Sequence, residues 1–363
     1  MSAKTPEELI ERHEAFLQCR PADRPLVGYW FGGYFPAEQF PHGTATWGAD
    51  RVLTPGDVSF AGFASDYENL YRLHRDVDDD FFYVGSAYWG IPWAEAILGC
   101  PVVVAASNCR AEVCLRTEQD ARAANSKRRL PVAHLVELDD NRWFETLVRF
   151  TRELVSFSDG RFPVCPPLLR GPGDCASAML GGMDFVTGFF DEPERMVRLL
   201  DHCARVRLAM LERLRAVIPA WHGTHAAGGY PSKVWCRRTV AYNQDDSAAL
   251  LNPTLFREFL LPLERRMCQT AEVNFIHLHS SCRYPVDILL EDRSYDVLEV
   301  NIDHPGMGPP VRELLPVFRK VQAAGRPLLL WGEFSDEDWN LVHSELEPAG
   351  LSLQPFAPRS YRS

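Results

Sequence analysis

Two histidines and a cysteine fall within six residues in the stretch "NFIHLHSSCRYP", residues 274–285. An apolar strand pattern runs into His277, His279 and Cys282. Imidazole nitrogen and thiolate sulfur are the ligands zinc prefers, and both groups also move protons or attack electrophiles. Side chains alternate on a strand, so His277 and His279 share one face, about 6.6–6.8 Å apart along it. Ile276 and Leu278 take the other face, and Cys282 follows in the loop, where its sulfur can fold back over the strand end.

Other predicted strands end in the same way. In "VLEVNID" (residues 297–303), Glu299, Asn301 and Asp303 share a face opposite Leu298, Val300 and Ile302. "AYNQDD" (241–246) delivers Tyr242, Gln244, Asp245 and Asp246, "LLLWGEF" (328–334) ends in Trp331 and Glu333, and "LLRGPGD" (168–174) carries Arg170 into a helix start. Strands buried on both faces are nearly all apolar, so polar residues on an inward face need a reason. Plainer roles exist for each residue alone. His277 can be hydrogen-bonded in the core, Asp245 and Asp246 can cap a helix, and Cys282 can be a small buried apolar group. Glu299 is the hardest to explain so, because a buried carboxylate costs several kcal/mol unless it is paired or metal-bound.

The elements that must hold these residues alternate. "TPEELIERHEAFL" reads as a helix with Thr5 as cap, Pro6 in its first turn and Glu8 completing a capping box. "RPLVGYWFGGYFP" is a first strand. Residues 37–130 are irregular and rich in aromatic and acidic residues. From about 140 onward, helix and strand patterns alternate to the end, including a helix over 142–158, a strand over 162–174, a helix over 175–190 and a strand over 233–246. This is the signature of parallel βαβ units. The 363 residues, 46% of them hydrophobic, suffice for one α/β domain. The expected fold is a (β/α)8 TIM-type barrel, with residues 1–130 packed on it as an irregular N-terminal segment and residues 140–363 forming regular βα units. An open doubly wound sheet ranks lower, because no G-x-G-x-x-G follows the first strand.

The formal net charge of −11 argues against nucleic acid or an anionic membrane as partner and leaves a small-molecule substrate. None of the ten cysteines forms a C-x-x-C pair, so a disulfide framework is not expected. The N-terminus shows no apolar signal region, and no run of about 18 apolar residues exists. A reducing cytoplasm and a monomer or homodimer are the expectation.

"LLRGPGDCASAMLGGMDFVTGFFDEPERMVRLL", "NQDDSAALLNPTLFREFLLPLERRM" and "HLHSSC…DVLEVNID" together resemble the uroporphyrinogen decarboxylase superfamily over residues 140–355. That superfamily includes the decarboxylase, the corrinoid- and coenzyme M-linked methyltransferases and the catalytic half of cobalamin-independent methionine synthase. The resemblance implies a (β/α)8 barrel. It also implies a zinc ion, which the methyltransferases hold through a His-x-Cys pair on this strand and a late cysteine, and the synthase half through an added glutamate. Here the cysteine is displaced to Cys282, Glu299 falls near the glutamate's place, and no cysteine follows Cys282. The implied metal ligands are therefore His279, Cys282 and Glu299. His277, Asn301, Gln244, Trp331, Glu333 and Tyr242 would bind substrate, and Asp245, Asp246, Asp303 and Arg170 would act on it. Where the decarboxylase carries an arginine-rich substrate grip this chain reads "GYWFGGYFP", so porphyrinogen decarboxylation is not expected. The reading favoured is a zinc-dependent methyltransferase-like enzyme acting with a corrinoid carried by a partner protein. The alternatives are a metal-free decarboxylase or lyase, with Arg170 on a substrate carboxylate, and a non-catalytic tetrapyrrole or corrinoid binder lined by Tyr29, Trp30, Trp89, Trp93, Trp235 and Trp331.

Overall fold

A computed structural model describes residues 4–106, 108–115, 138–223, 232–303 and 306–357. The expected boundary of the N-terminal segment near residue 130 lies outside the described residues. In chain order the strands are β1 (Leu26–Val27), β2 (Val52–Leu53), β3 (Val102–Val104), β4 (Cys109–Ala111), β5 (Val240–Gln244), β6 (Val273–His279), β7 (Val297–Ile302), β8 (Leu328–Gly332) and β9 (Leu351–Pro355). Six form a parallel sheet in the order β1-β9-β8-β7-β6-β5, while β2, β3 and β4 make a small antiparallel sheet.

The pleat sorts the side chains as the sequence alternation implies. Val240, Tyr242, Val273, Phe275, Val297, Leu329 and Trp331 join Leu26 and Trp30 in one buried cluster on the inner face. Ile276, Leu278, Leu298, Val300, Leu330 and Leu353 face outward into a second core under the helices. Along β5, β6 and β7 the inner face therefore runs from valine at the strand starts to Gln244, His279 and Asn301 at the strand ends.

A ladder of eight strands is not present among the described residues. The strand expected over 162–174 is an extended segment instead, bridged to Gly85 at Val164 and reaching β5 through the Gly171 amide, which donates to the Gln244 carbonyl (2.5 Å). Pro163, Pro166 and Pro167 are the cause, since proline has no N–H to give a ladder. The Arg207 guanidinium, fully buried, spans part of the gap by donating to the Leu169 carbonyl (3.1 Å) and the Tyr242 carbonyl (2.6 Å). On the other side, the Asp80 amide donates to the Val27 carbonyl (2.8 Å). The strand expected over 233–246 is shorter, limited to β5.

The helices follow their local signals. Thr5 closes a capping box with Glu8 ahead of the helix Pro6–Leu17, and Asn141 accepts the Phe144 amide ahead of Arg142–Ser158. The helix expected over 175–190 is two helices, Pro172–Leu180 and Gly182–Asp191, because Gly181 at φ 86° breaks the turn.

The N-terminal segment is pinned by one carboxylate. Asp80, fully buried, accepts from Arg24 (2.8 Å), from Arg12 (3.3 Å) and from the Val27 amide (3.0 Å). Burial alone would raise its pKa; the Arg24 and Val27 hydrogen bonds and the charges of Arg12 and Arg24 outweigh it and hold it at about 2. Its stabilising contribution is present above the ordinary carboxylate pKa and fades as pH falls through about 2. Asp80→Asn is expected to destabilise the fold by about 1–2 kcal/mol at pH 7, because it removes the charge that the partly exposed Arg12 and Arg24 share. The gap to wild type in a denaturant titration should narrow toward pH 2. Equal midpoints at pH 7 would remove Asp80 as the pin.

Candidate metal centre

The ends of β5, β6 and β7 converge on one group. Strand pairing sets Gln244 beside His277, His277 beside Glu299, and His279 beside Asn301. Asp246, two residues past the end of β5, joins His277 and His279, with one donor atom from each lying within 4.8 Å of the other two. Two imidazoles and a carboxylate are a donor set for zinc or another borderline divalent ion.

Each imidazole is turned toward this group by its own carboxylate. His277 Nδ1 lies 2.8 Å from Glu299 Oε1, which also accepts from the Tyr242 hydroxyl (2.7 Å). His279 Nδ1 lies 2.5 Å from Asp303 Oδ1, and Asp303 is held in turn by Ser280 Oγ (2.7 Å) and the Ser281 amide (3.2 Å). A carboxylate only accepts, so both Nδ1 atoms carry the proton and each ring can offer Nε2 to a metal. This is the outer support that metal-binding histidines usually have. The rings stand nearly perpendicular with centroids 4.9 Å apart.

The electrostatics agree. His279 Nε2 is 3.5 Å from Asp246 Oδ2. Burial would lower the His279 pKa, but hydrogen bonds to Asp246 and Asp303 and both their charges raise it to about 10. Burial would raise Asp246; the His279 hydrogen bond and the charges of both imidazoles hold it well below the usual carboxylate range. Without a cation in the group, an imidazolium occupies the space between two carboxylates. Gln244 Nε2 donates to Asp246 Oδ2 and fixes its rotamer.

Three buried polar atoms around this group have no hydrogen-bond partner among the described residues: Glu299 Oε2, Asn301 Oδ1 and Trp331 Nε1. Asn301 Nδ2 donates to Tyr34 Oη (3.2 Å) and Asp303 Oδ1 (3.2 Å). Trp331 stacks on Trp30 at 5.2 Å and faces Tyr34 at 6.1 Å. An aromatic wall thus stands beside the metal-compatible group.

The residues singled out in the sequence separate into those that meet and those that do not. Tyr242, Gln244, Asp246, His277, His279, Glu299, Asn301, Asp303 and Trp331 meet. Glu299 supports His277 through Nδ1 and stands outside the three-donor group. Cys282 also stands outside it. Its amide donates to the His279 carbonyl (3.0 Å), and burial, then the charge of Asp246, pushes its thiol up to about 11. Asp245 turns away to cap the start of the helix Pro172–Leu180, accepting from the amides of Gly173 (3.0 Å) and Asp174 (2.6 Å). Burial and the neighbouring Glu264 carboxylate push it well above the usual range. Arg170 pairs with the buried Glu95 at 3.1 Å and keeps 36% of its side chain exposed, so donors remain for a ligand. Glu333 is exposed. Trp93 and Trp235 are fully buried core. Sequence reasoning missed Tyr34, Glu95 and Arg207. Tyr34 sits in the already conspicuous "GYWFGGYFP", whereas nothing local marks the other two.

Compared with protein-family models and with curated proteins, the chain matches none. Among solved structures it is similar to a methyltransferase from Methanosarcina mazei, with TM-score 0.57 and 15% identity over 96% of this chain and 92% of that one. At that identity the likeness shows the fold alone. A Bacillus subtilis mannanase aligns over 98% of this chain at TM-score 0.38 and 9% identity, a similarity that carries no argument. Among the described residues, no helix is long and apolar enough to cross a membrane. The chain shares its fold with a methyltransferase and carries a partly buried two-histidine, one-carboxylate group at the strand ends of its parallel sheet.

Proposed function

We propose that this chain is a zinc-dependent methyltransferase-like enzyme of the uroporphyrinogen decarboxylase superfamily, built as one (β/α)8 barrel whose ladder is interrupted by proline over 162–174. The observation that carries the reading is the pair of imidazoles, each with Nδ1 on a dedicated carboxylate, beside Asp246. His277, His279 and Asp246 would hold the ion, with a further position left for a ligand from solution. The ion would lower the pKa of a bound thiol or water. Glu299 and Asp303 fix the tautomer and aim of the two rings. Gln244 steadies Asp246, and Tyr242 steadies Glu299. Arg170, oriented by Glu95, offers its free donors to an acidic group of the substrate, and the wall of Tyr34, Trp30 and Trp331 covers the inner side. The methyl group would pass between a small substrate, or a corrinoid carried by a partner protein, and a thiol-type acceptor.

The test is elemental analysis of protein purified without chelator, followed by chelation and metal add-back while methyl transfer to a thiol is assayed. About one zinc per chain, with activity lost on chelation and restored on add-back, is the expected result. Full activity in metal-free protein would instead favour a lyase in which the Asp246–His279–Asp303 chain moves protons. Cys282→Ser is expected to leave zinc affinity within about threefold of wild type, since the thiol lies outside the three-donor group. A larger loss, read by competition with a chromogenic chelator, would add its thiolate to the ligand set.

A further inference from the structure

None of the ten cysteines is in a disulfide, and two of them stand with their sulfurs in contact. Cys100 stands just before β3 and Cys114 just after β4, and the antiparallel pairing of Val102 with Ala111 brings these two ends together. Their Sγ atoms are 3.5 Å apart. Both backbones are anchored. The Cys100 amide donates to the Glu95 carbonyl (2.9 Å), while the Cys114 and Leu115 amides donate to the Met179 carbonyl (3.2 and 2.7 Å). Cys100 is buried and Cys114 half-buried. A disulfide needs an S–S distance of about 2.05 Å, so the sulfurs must approach by about 1.5 Å. Neither residue belongs to the metal-compatible group.

We propose that Cys100 and Cys114 form a dithiol modification site that reacts with low-molecular-weight disulfides of the glutathione type. Cys114, the more accessible thiol, attacks as its thiolate. Its sulfur bonds to one sulfur of the reagent, whose S–S bond breaks and releases one thiolate. Cys100 then loses its proton to solvent and attacks Cys114 Sγ. The mixed disulfide breaks, a second thiolate leaves, and both leaving thiolates take up protons. The reagent is reduced to two thiols and the protein is oxidised by two electrons to an internal disulfide. The hydrogen bond with Cys100 holds the Cys114 pKa below the ordinary thiol value and, with its greater exposure, favours this order of attack. Cys165, Cys175, Cys203, Cys236 and Cys268 are buried and serve as internal controls.

The experiment exposes the full-length native protein to oxidised glutathione, quenches with acid, alkylates under denaturing conditions and maps peptides by mass spectrometry. The expected result is a peptide pair joined between Cys100 and Cys114, reversed by dithiothreitol. Cys100→Ser should instead retain a stable glutathione adduct on Cys114. Because that buried substitution can compromise folding, wild-type protein is also titrated with phenylarsine oxide, which bridges two close thiols. One equivalent should protect Cys100 and Cys114 together from alkylation. Unlinked, fully alkylated Cys100 and Cys114 after glutathione treatment overturn the proposal. So does a lasting adduct on wild-type Cys114, or arsenical binding that spares the pair.

Discussion

His279→Ala is expected to cost roughly 100-fold or more in zinc affinity and to abolish activity. A structural zinc site is worth about 10–16 kcal/mol over four ligands, so one ligand carries about 3 kcal/mol, which is about two orders of magnitude. His279 is the member with most to lose, because it lies 3.5 Å from Asp246 on one side and hydrogen-bonds Asp303 on the other. Removing the ring leaves two carboxylates facing each other with neither cation nor proton donor between them. Isothermal titration of chelator-treated protein with zinc reads the affinity, and circular dichroism confirms the fold. Unchanged zinc affinity in a folded His279→Ala variant would sink the assignment of the site. His279→Gln separates shape from ligation, since it retains a polar side chain but no imidazole lone pair.

Glu299 gives the second large effect, and its two substitutions should part company. Glu299→Ala removes the acceptor shared by Tyr242 and His277 and leaves both buried without a partner, a loss of about 3–5 kcal/mol of stability. For a domain of this length that is a fall of several degrees or more in the thermal midpoint. Glu299→Gln keeps an oxygen for both donors, so the fold should hold. It removes the negative charge that makes His277 a better ligand, and zinc affinity should drop about 10–100-fold. A Glu299→Gln variant that binds zinc as tightly as wild type would reduce Glu299 to a packing role. If Glu299→Ala melted with wild type, the hydrogen-bond network would not be organising the sheet interior.

Much of this site was legible before any coordinates. Period-2 alternation placed His277 with His279, and Glu299 with Asn301 and Asp303, because a strand leaves a side chain only two directions to take. The pairing partners were not legible. Whether Glu299 ligates an ion or supports His277 depends on the register of β6 against β7, which is set by contacts between elements. Asp245 and Asp246 are adjacent and chemically identical, yet one caps the start of the helix Pro172–Leu180 and the other faces the imidazoles. Only the turn after β5 decides between them. Arg207 lies mid-helix among other arginines, and no local signal separates it from its solvated neighbours. The expected strand over 162–174 had carried its own correction in Pro163, Pro166 and Pro167, which outweigh the apolar run around them.

Those prolines also distribute mechanical compliance unevenly around the sheet. From β5 to β9 every step is a parallel ladder, so displacing one strand breaks several backbone bonds at once. The arc from Val164 to Gly171 has no such ladder; the Gly171–Gln244 bond and the Arg207 guanidinium tie its far end to β5. A side chain at the end of a long alkyl stem follows a moving carbonyl far more readily than a ladder does. Arg170 is therefore carried on the more compliant side, while His277 and His279 stand on the stiff one. The sheet thus joins a stiff side that bears the two imidazoles to a yielding side that bears the guanidinium of Arg170.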